Sequence, residues 1–102
     1  MKYNKLVRDK IPEVIRKDKK NPIIHIANDE EYWKKLKKKL SEEVNEFAKE
    51  SNEEEMADII EVINAICKYK KFDKVDIDKI KKQKAEKRGR FNKRIILDEV
   101  KD

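Results

Sequence analysis

Trp33, Leu36, Leu40, Val44 and Phe47 recur at steps of three and four, a rhythm that sets one apolar stripe along one helix. Asn28, followed by Asp29, Glu30 and Glu31, has the form of an N-cap with a glutamate three residues on, so the helix starts there and runs to about Lys49 or Glu50. Ser51 with Glu54 repeats that signature and makes KESNEE a tight turn, and short turns join antiparallel neighbours. The next helix, about Glu53 to Tyr69, offers Met56, Ile59, Ile60, Ile63, Ile66 and Cys67 as its core face. Whatever the rest of the chain does, it must fit around this helical hairpin.

The flanks read as further helix. In YNKLVRDKIPEVIRK, residues 3–17, Pro12 suits the first turn of a short helix, with Leu6, Val7, Ile11, Val14 and Ile15 apolar and Lys5, Arg8 and Lys10 left as a basic group. KDKKN is a polar turn, and NPIIHIA a brief extended piece in which His25 is a packed or half-exposed side chain rather than a ligand. Asp76 caps a third long helix, about Ile77 to Arg88, and Gly89 falls where a helix C-cap belongs. Phe91, Ile95, Ile96 and Leu97 are then placed to pin the tail onto the core. One glycine and two prolines leave few loop signals, which favours an all-α class in one domain of 102 residues. At 37% hydrophobic residues the core is lean, and assembly into oligomers is the common remedy.

Charge is distributed unevenly. Between Ser41 and Glu61 nine side chains are acidic and only Lys49 is basic, in a protein of formal net charge +6. Acid-rich helices are usually solvated faces whose acids are relieved by a base four residues on. Here Glu42 faces Glu46, Glu46 faces Glu50 and Glu54 faces Asp58. Each such pair costs roughly 0.2–0.5 kcal/mol on an isolated helix. Positions three apart project to one side, so Glu43 with Glu46, and Glu55 with Asp58, form two carboxylate pairs that a hairpin could bring together. All-oxygen ligation suits Mg²⁺, with Mn²⁺ as a substitute, and the lack of His or Cys in the cluster argues against zinc.

The only cysteine, Cys67, lies in the run IIEVINAIC and reads as a buried structural thiol, and its count excludes a disulfide framework. No apolar run is long enough to span a bilayer, and MKYNKLVRDK turns charged at once, so a cytoplasmic setting without membrane contact is expected. Residues 68–94 hold thirteen basic and four acidic side chains, which invites a nucleic-acid reading. Because lysine, isoleucine and asparagine are enriched together, the charge also fits an AT-rich coding sequence, and nucleic acid is the weaker expectation.

Taken together, Glu42-Glu43-x-x-Glu46, Glu55-x-x-Asp58, the block YNKLVRDKIPEVI and the form Lys87-Arg88-Gly89-x-Phe91 resemble the MazG-like branch of the all-α nucleoside triphosphate pyrophosphohydrolases, which includes phosphoribosyl-ATP pyrophosphohydrolase. The resemblance covers nearly the whole chain and points to a compact subgroup. Arg90 stands where a second glycine would be expected, and the interval between the two acidic motifs is shorter than in many members.

The resemblance implies a MazG-like helical bundle completed by oligomerisation, as a homodimer or larger assembly. It also implies cleavage of a nucleotide substrate between its α and β phosphates to a monophosphate and pyrophosphate, with Mg²⁺ held by Glu43, Glu46, Glu55 and Asp58. On the same basis Glu42, Glu43 and Glu46 are the catalytic acids, Glu42 helping to orient water, and Lys5, Arg8, Lys10, Lys84, Lys87 and Arg88 are candidates for binding phosphate. The rival expectation is a non-enzymatic helical module that binds nucleic acid or a partner protein through its basic third long helix.

Overall fold

The computed structural model describes residues 3–102 and contains four helices, with no strand among the described residues. These are α1 (Ile11–Lys17), α2 (Asp29–Lys49), α3 (Glu53–Lys70) and α4 (Lys74–Arg88). The all-α class is therefore as expected. The chain divides into two compact units, the first ending at Lys70 and the second running Lys71–Asp102.

In the first unit α2 and α3 pack against each other. Tyr69 hydroxyl donates to the Asp29 carbonyl at 3.2 Å and its ring stacks on Trp33, while Glu43 approaches Glu55 and Asp58 nearer the turn. That pairing defines antiparallel neighbours. The Asn28 side chain caps α2 by accepting from the Glu31 N–H at 2.9 Å, as the sequence predicts. Glu31 does not reach back to complete a reciprocal box, because its Oε1 lies 2.8 Å from His25 Nε2. At the turn the expected Ser51 cap is replaced by its neighbour: Asn52 Oδ1 accepts from the Glu55 N–H at 2.9 Å. Ser51 Oγ donates instead to the Phe47 carbonyl at 2.9 Å, closing the end of α2. An Asn at this site is as good an N-cap as Ser, so either residue could have taken the role.

Leu36, Val62 and Cys67 form the buried core. Leu36 belongs to the stripe predicted for α2, where Trp33, Leu40 and Phe47 are half-buried and Val44 is exposed. The inner face of α3 is as expected at Ile59, Ile66 and Cys67 and differs at its other positions. Val62 is buried, with Ile59 and Ile66 half-buried beside it, whereas Met56, Ile60 and Ile63 are exposed. The helix is apolar over so much of its circumference that periodicity admits either face. Turning Ile59, Val62 and Ile66 toward α2 also carries Glu55 and Asp58 to the border of the interface.

The N-terminal segment is tied to this hairpin by Lys35, whose Nζ donates to the Asn4 carbonyl at 2.7 Å. Pro12 sits in the first turn of α1, and the helix closes through Lys19 N–H to the Arg16 carbonyl and Lys20 N–H to the Ile15 carbonyl. Lys19 takes φ 58°, a left-handed conformation that favours glycine. Lys19→Gly relieves about 1 kcal/mol of that strain and gives back about 0.5 kcal/mol through the freer unfolded chain. The expected net is a small rise in midpoint by urea denaturation, and a fall in midpoint would refute the strain.

In the second unit α4 begins three residues earlier than expected. Asp73, on extended backbone, is the N-cap and accepts from the Val75 N–H at 2.8 Å. Asp76 becomes a first-turn acid, where the helix dipole favours negative charge. Gly89 is the C-cap, with φ 80° and its N–H bonded to the Ala85 carbonyl at 2.8 Å. Phe91, Ile95, Ile96 and Leu97, expected to be covered, are all exposed, and residues 95–102 form no regular element. Among the described residues no helix is long and apolar enough to cross a membrane.

Candidate metal centre

Glu43 from α2 and Glu55 and Asp58 from α3 each offer a carboxylate oxygen, and the three oxygens lie within 4.8 Å of one another. All three residues are half-buried. Their position follows from the fold: Glu55 and Asp58 are three apart on the first turns of α3, and the antiparallel turn sets Glu43 opposite them. Three carboxylates supply an all-oxygen donor set, the kind that hard divalent cations such as Mg²⁺ or Mn²⁺ take.

Glu46, predicted as a fourth ligand, is exposed, and its carboxylate is outside the group of three. It still acts on the group by charge. Partial burial, and after it the negative charges of Asp58, Glu43, Glu46 and Glu50, push the Glu55 carboxyl above its ordinary value. A carboxyl with a raised folded pKa stabilises the fold at low pH, and that stability is lost as pH rises through the folded pKa. In chelator, stability should therefore fall across that range above the ordinary carboxylate pKa. Glu55→Gln should flatten the fall, as thermal midpoints measured against pH would report. An unchanged slope in the variant would exclude Glu55 as its source.

Two of the three acids already meet a cation of the chain. Arg8 Nη2 donates to Asp58 Oδ1 at 2.8 Å, and its Nη1 is 3.8 Å from Glu61 Oε1. Lys39 Nζ lies 3.3 Å from Glu43 Oε1, one helical turn along α2. Among the described residues Glu55 has no basic group within ion-pair distance. The Arg8 pair is largely solvated and such pairs are worth up to about 1 kcal/mol, so it is readily opened. The role of Glu61 was not anticipated, although it continues the three-residue spacing of Glu55 and Asp58.

The other predicted residues fall into two places. Lys5 and Glu42 line a small cleft with Asn4, Leu6, Lys35, Lys38 and Lys39, beside the acidic group, and Lys10 is exposed just before α1. Lys84, Lys87 and Arg88 are exposed on α4, in the second unit. Lys35, Lys38 and Lys39 were not singled out from the sequence, because a lysine run on a helix reads first as solvated surface.

No protein-family model matches the chain, and no solved structure matches it. A stretch of 42 residues is 52% identical to an uncharacterized protein of Mycolicibacterium smegmatis. The match spans 41% of this chain and 43% of that protein, so the chain matches less than half of the relative's length.

Proposed function

We propose that the chain is a divalent-cation-dependent nucleotide pyrophosphohydrolase that cleaves a nucleoside triphosphate, or a related phosphoribosyl nucleotide, between the α and β phosphates. The observation that carries this reading is the convergence of Glu43, Glu55 and Asp58 from two helices within 4.8 Å, beside a lysine-lined cleft. The MazG-like pattern of acids and flanking blocks in the sequence supplies the reaction class.

In this reading Glu43, Glu55 and Asp58 hold Mg²⁺ or Mn²⁺, and Glu46 completes the ligand set or adds charge from its exposed position. When bound, the ion neutralises phosphate charge and lowers the pKa of a coordinated water. Glu42, half-buried at the cleft, would help to orient an attacking water. Lys5 and Arg8, with Lys39 beside Glu43, spread the negative charge that grows on the leaving pyrophosphate. Lys10, exposed just before α1, is a further phosphate contact in the proposal. The chain works as a homodimer or larger oligomer, a reading supported by the exposed Met56, Ile60 and Ile63 on α3 and by the small core.

The test is pyrophosphate release from a panel of nucleoside triphosphates and phosphoribosyl-ATP in Mg²⁺, in Mn²⁺ and in chelator. Release that needs the metal supports the reading, and a folded protein inert toward the whole panel in both metals overturns it. A second reading rests on α4, whose side chains are exposed apart from a half-buried Ala85 and include seven basic residues. A module binding nucleic acid through that helix would lose affinity steeply with salt and be indifferent to Mg²⁺.

A further inference from the structure

The acidic cluster is approached by a guanidinium from outside the hairpin. Arg8 belongs to neither α2 nor α3: it lies in the irregular segment before α1, fifty residues from Asp58 in sequence. Its carbonyl accepts from the Ile11 N–H at 3.1 Å, so the residue sits where the chain turns into α1. The same segment is held at its other end by Lys35 on the Asn4 carbonyl. Arg8 therefore brings a charge to Asp58 on a short tether anchored at both sides.

Guanidinium is always charged, and its planar fork suits phosphate at least as well as carboxylate. Asp58 Oδ1, which accepts from Arg8, belongs to a carboxylate that also converges with Glu43 and Glu55. A cation held by those three acids competes with Arg8 for Asp58. Any polyphosphate that arrives with the cation offers the displaced guanidinium a partner as well matched as the carboxylate it leaves.

We infer that Arg8 is an exchangeable counter-ion: it occupies Asp58 in the metal-free chain, yields it to a divalent cation, and then takes a phosphate of the incoming substrate. This inference rests on the proposed function, since it takes the acidic cluster as a cation site. It adds a coupling to that reading. Arg8 opposes the metal when no phosphate is present and favours phosphate once the metal is bound, so the site discriminates metal with polyphosphate from metal alone.

Calorimetric titration of Mn²⁺ alone, and then of pyrophosphate in saturating Mn²⁺, into the full chain and into Arg8→Gln tests the exchange. Loss of a surface pair of this kind should tighten Mn²⁺ binding by about 5-fold in the variant. Loss of a charge-assisted bond should weaken pyrophosphate binding by roughly 10-fold or more. Arg8→Lys should keep the competition with Mn²⁺ and recover only part of the pyrophosphate affinity, because it lacks the fork. As a second readout, amide exchange in residues 3–10 of the wild-type chain should quicken on adding Mg²⁺ alone. Equal Mn²⁺ affinity in the wild type and Arg8→Gln overturns the exchange while leaving the cation site standing. Absence of Mn²⁺ binding in every variant overturns the cation site and the exchange together.

Discussion

If the proposed function holds, Asp58→Asn and Glu43→Gln are each expected to abolish any rise in melting temperature that Mn²⁺ gives the wild type, and each to lower pyrophosphate release by roughly 100-fold or more. Both substitutions keep the shape of the side chain and remove its charge. Because the three carboxylates repel one another without a metal, the metal-free variants should retain helix content by circular dichroism and lose little stability. The geometry also ranks the acids. Glu46→Gln should cost less than Asp58→Asn, since Glu46 is exposed and outside the group of three. Full turnover in Asp58→Asn and Glu43→Gln would sink the site. A loss in Glu46→Gln as large as in Asp58→Asn would place a fourth ligand where the sequence pattern put it.

Leu36→Ala is the second large effect, and it falls on stability. Leu36 is 1% exposed and is the most completely buried large side chain among the described residues, where the rest of the buried core, Val62 and Cys67, is 8–9% exposed. Removing it costs about 3 kcal/mol through lost transfer energy and the cavity left behind. Small domains have roughly 5–15 kcal/mol in total, and a core this lean belongs at the low end. Urea denaturation should show the midpoint falling steeply, with the variant partly unfolded at physiological temperature. Val62→Ala should cost about 2 kcal/mol and Met56→Ala less than about 1 kcal/mol. The reverse order would mean that α3 buries the face that its periodicity first suggested.

The contrast between α2 and α3 explains how much could be read in advance. The ends of α2 were legible because Asn28 caps it through a local bond, and its stripe was legible because lysines fill the remaining positions. On α3 apolar residues occupy two overlapping faces, and only packing against α2 selects Val62 over Ile60. The start of α4 was misplaced because Asp73 and Asp76 are both competent caps and the backbone at Asp73 decides between them. Two acidic pairs were visible as spacing on single helices. Which of the four carboxylates converge depends on helix rotation, and that left Glu46 outside. Arg8 could be singled out as basic, but its contact with Asp58 spans fifty residues and has no local signature.

The chain's single tryptophan stacks on Tyr69 with centroids 5.7 Å apart, and Lys70 Nζ lies 4.2 Å from the centre of its ring. Trp33 precedes Glu43 by ten residues of α2, about 15 Å along the helix axis. Its emission is therefore a gauge of whether the open end of the hairpin is zipped, placed well away from the acids. Loss of metal binding with unchanged tryptophan fluorescence identifies a chemical lesion, whereas loss of both identifies a hairpin that has come apart. One native residue thus separates the two ways in which a variant of this protein can fail.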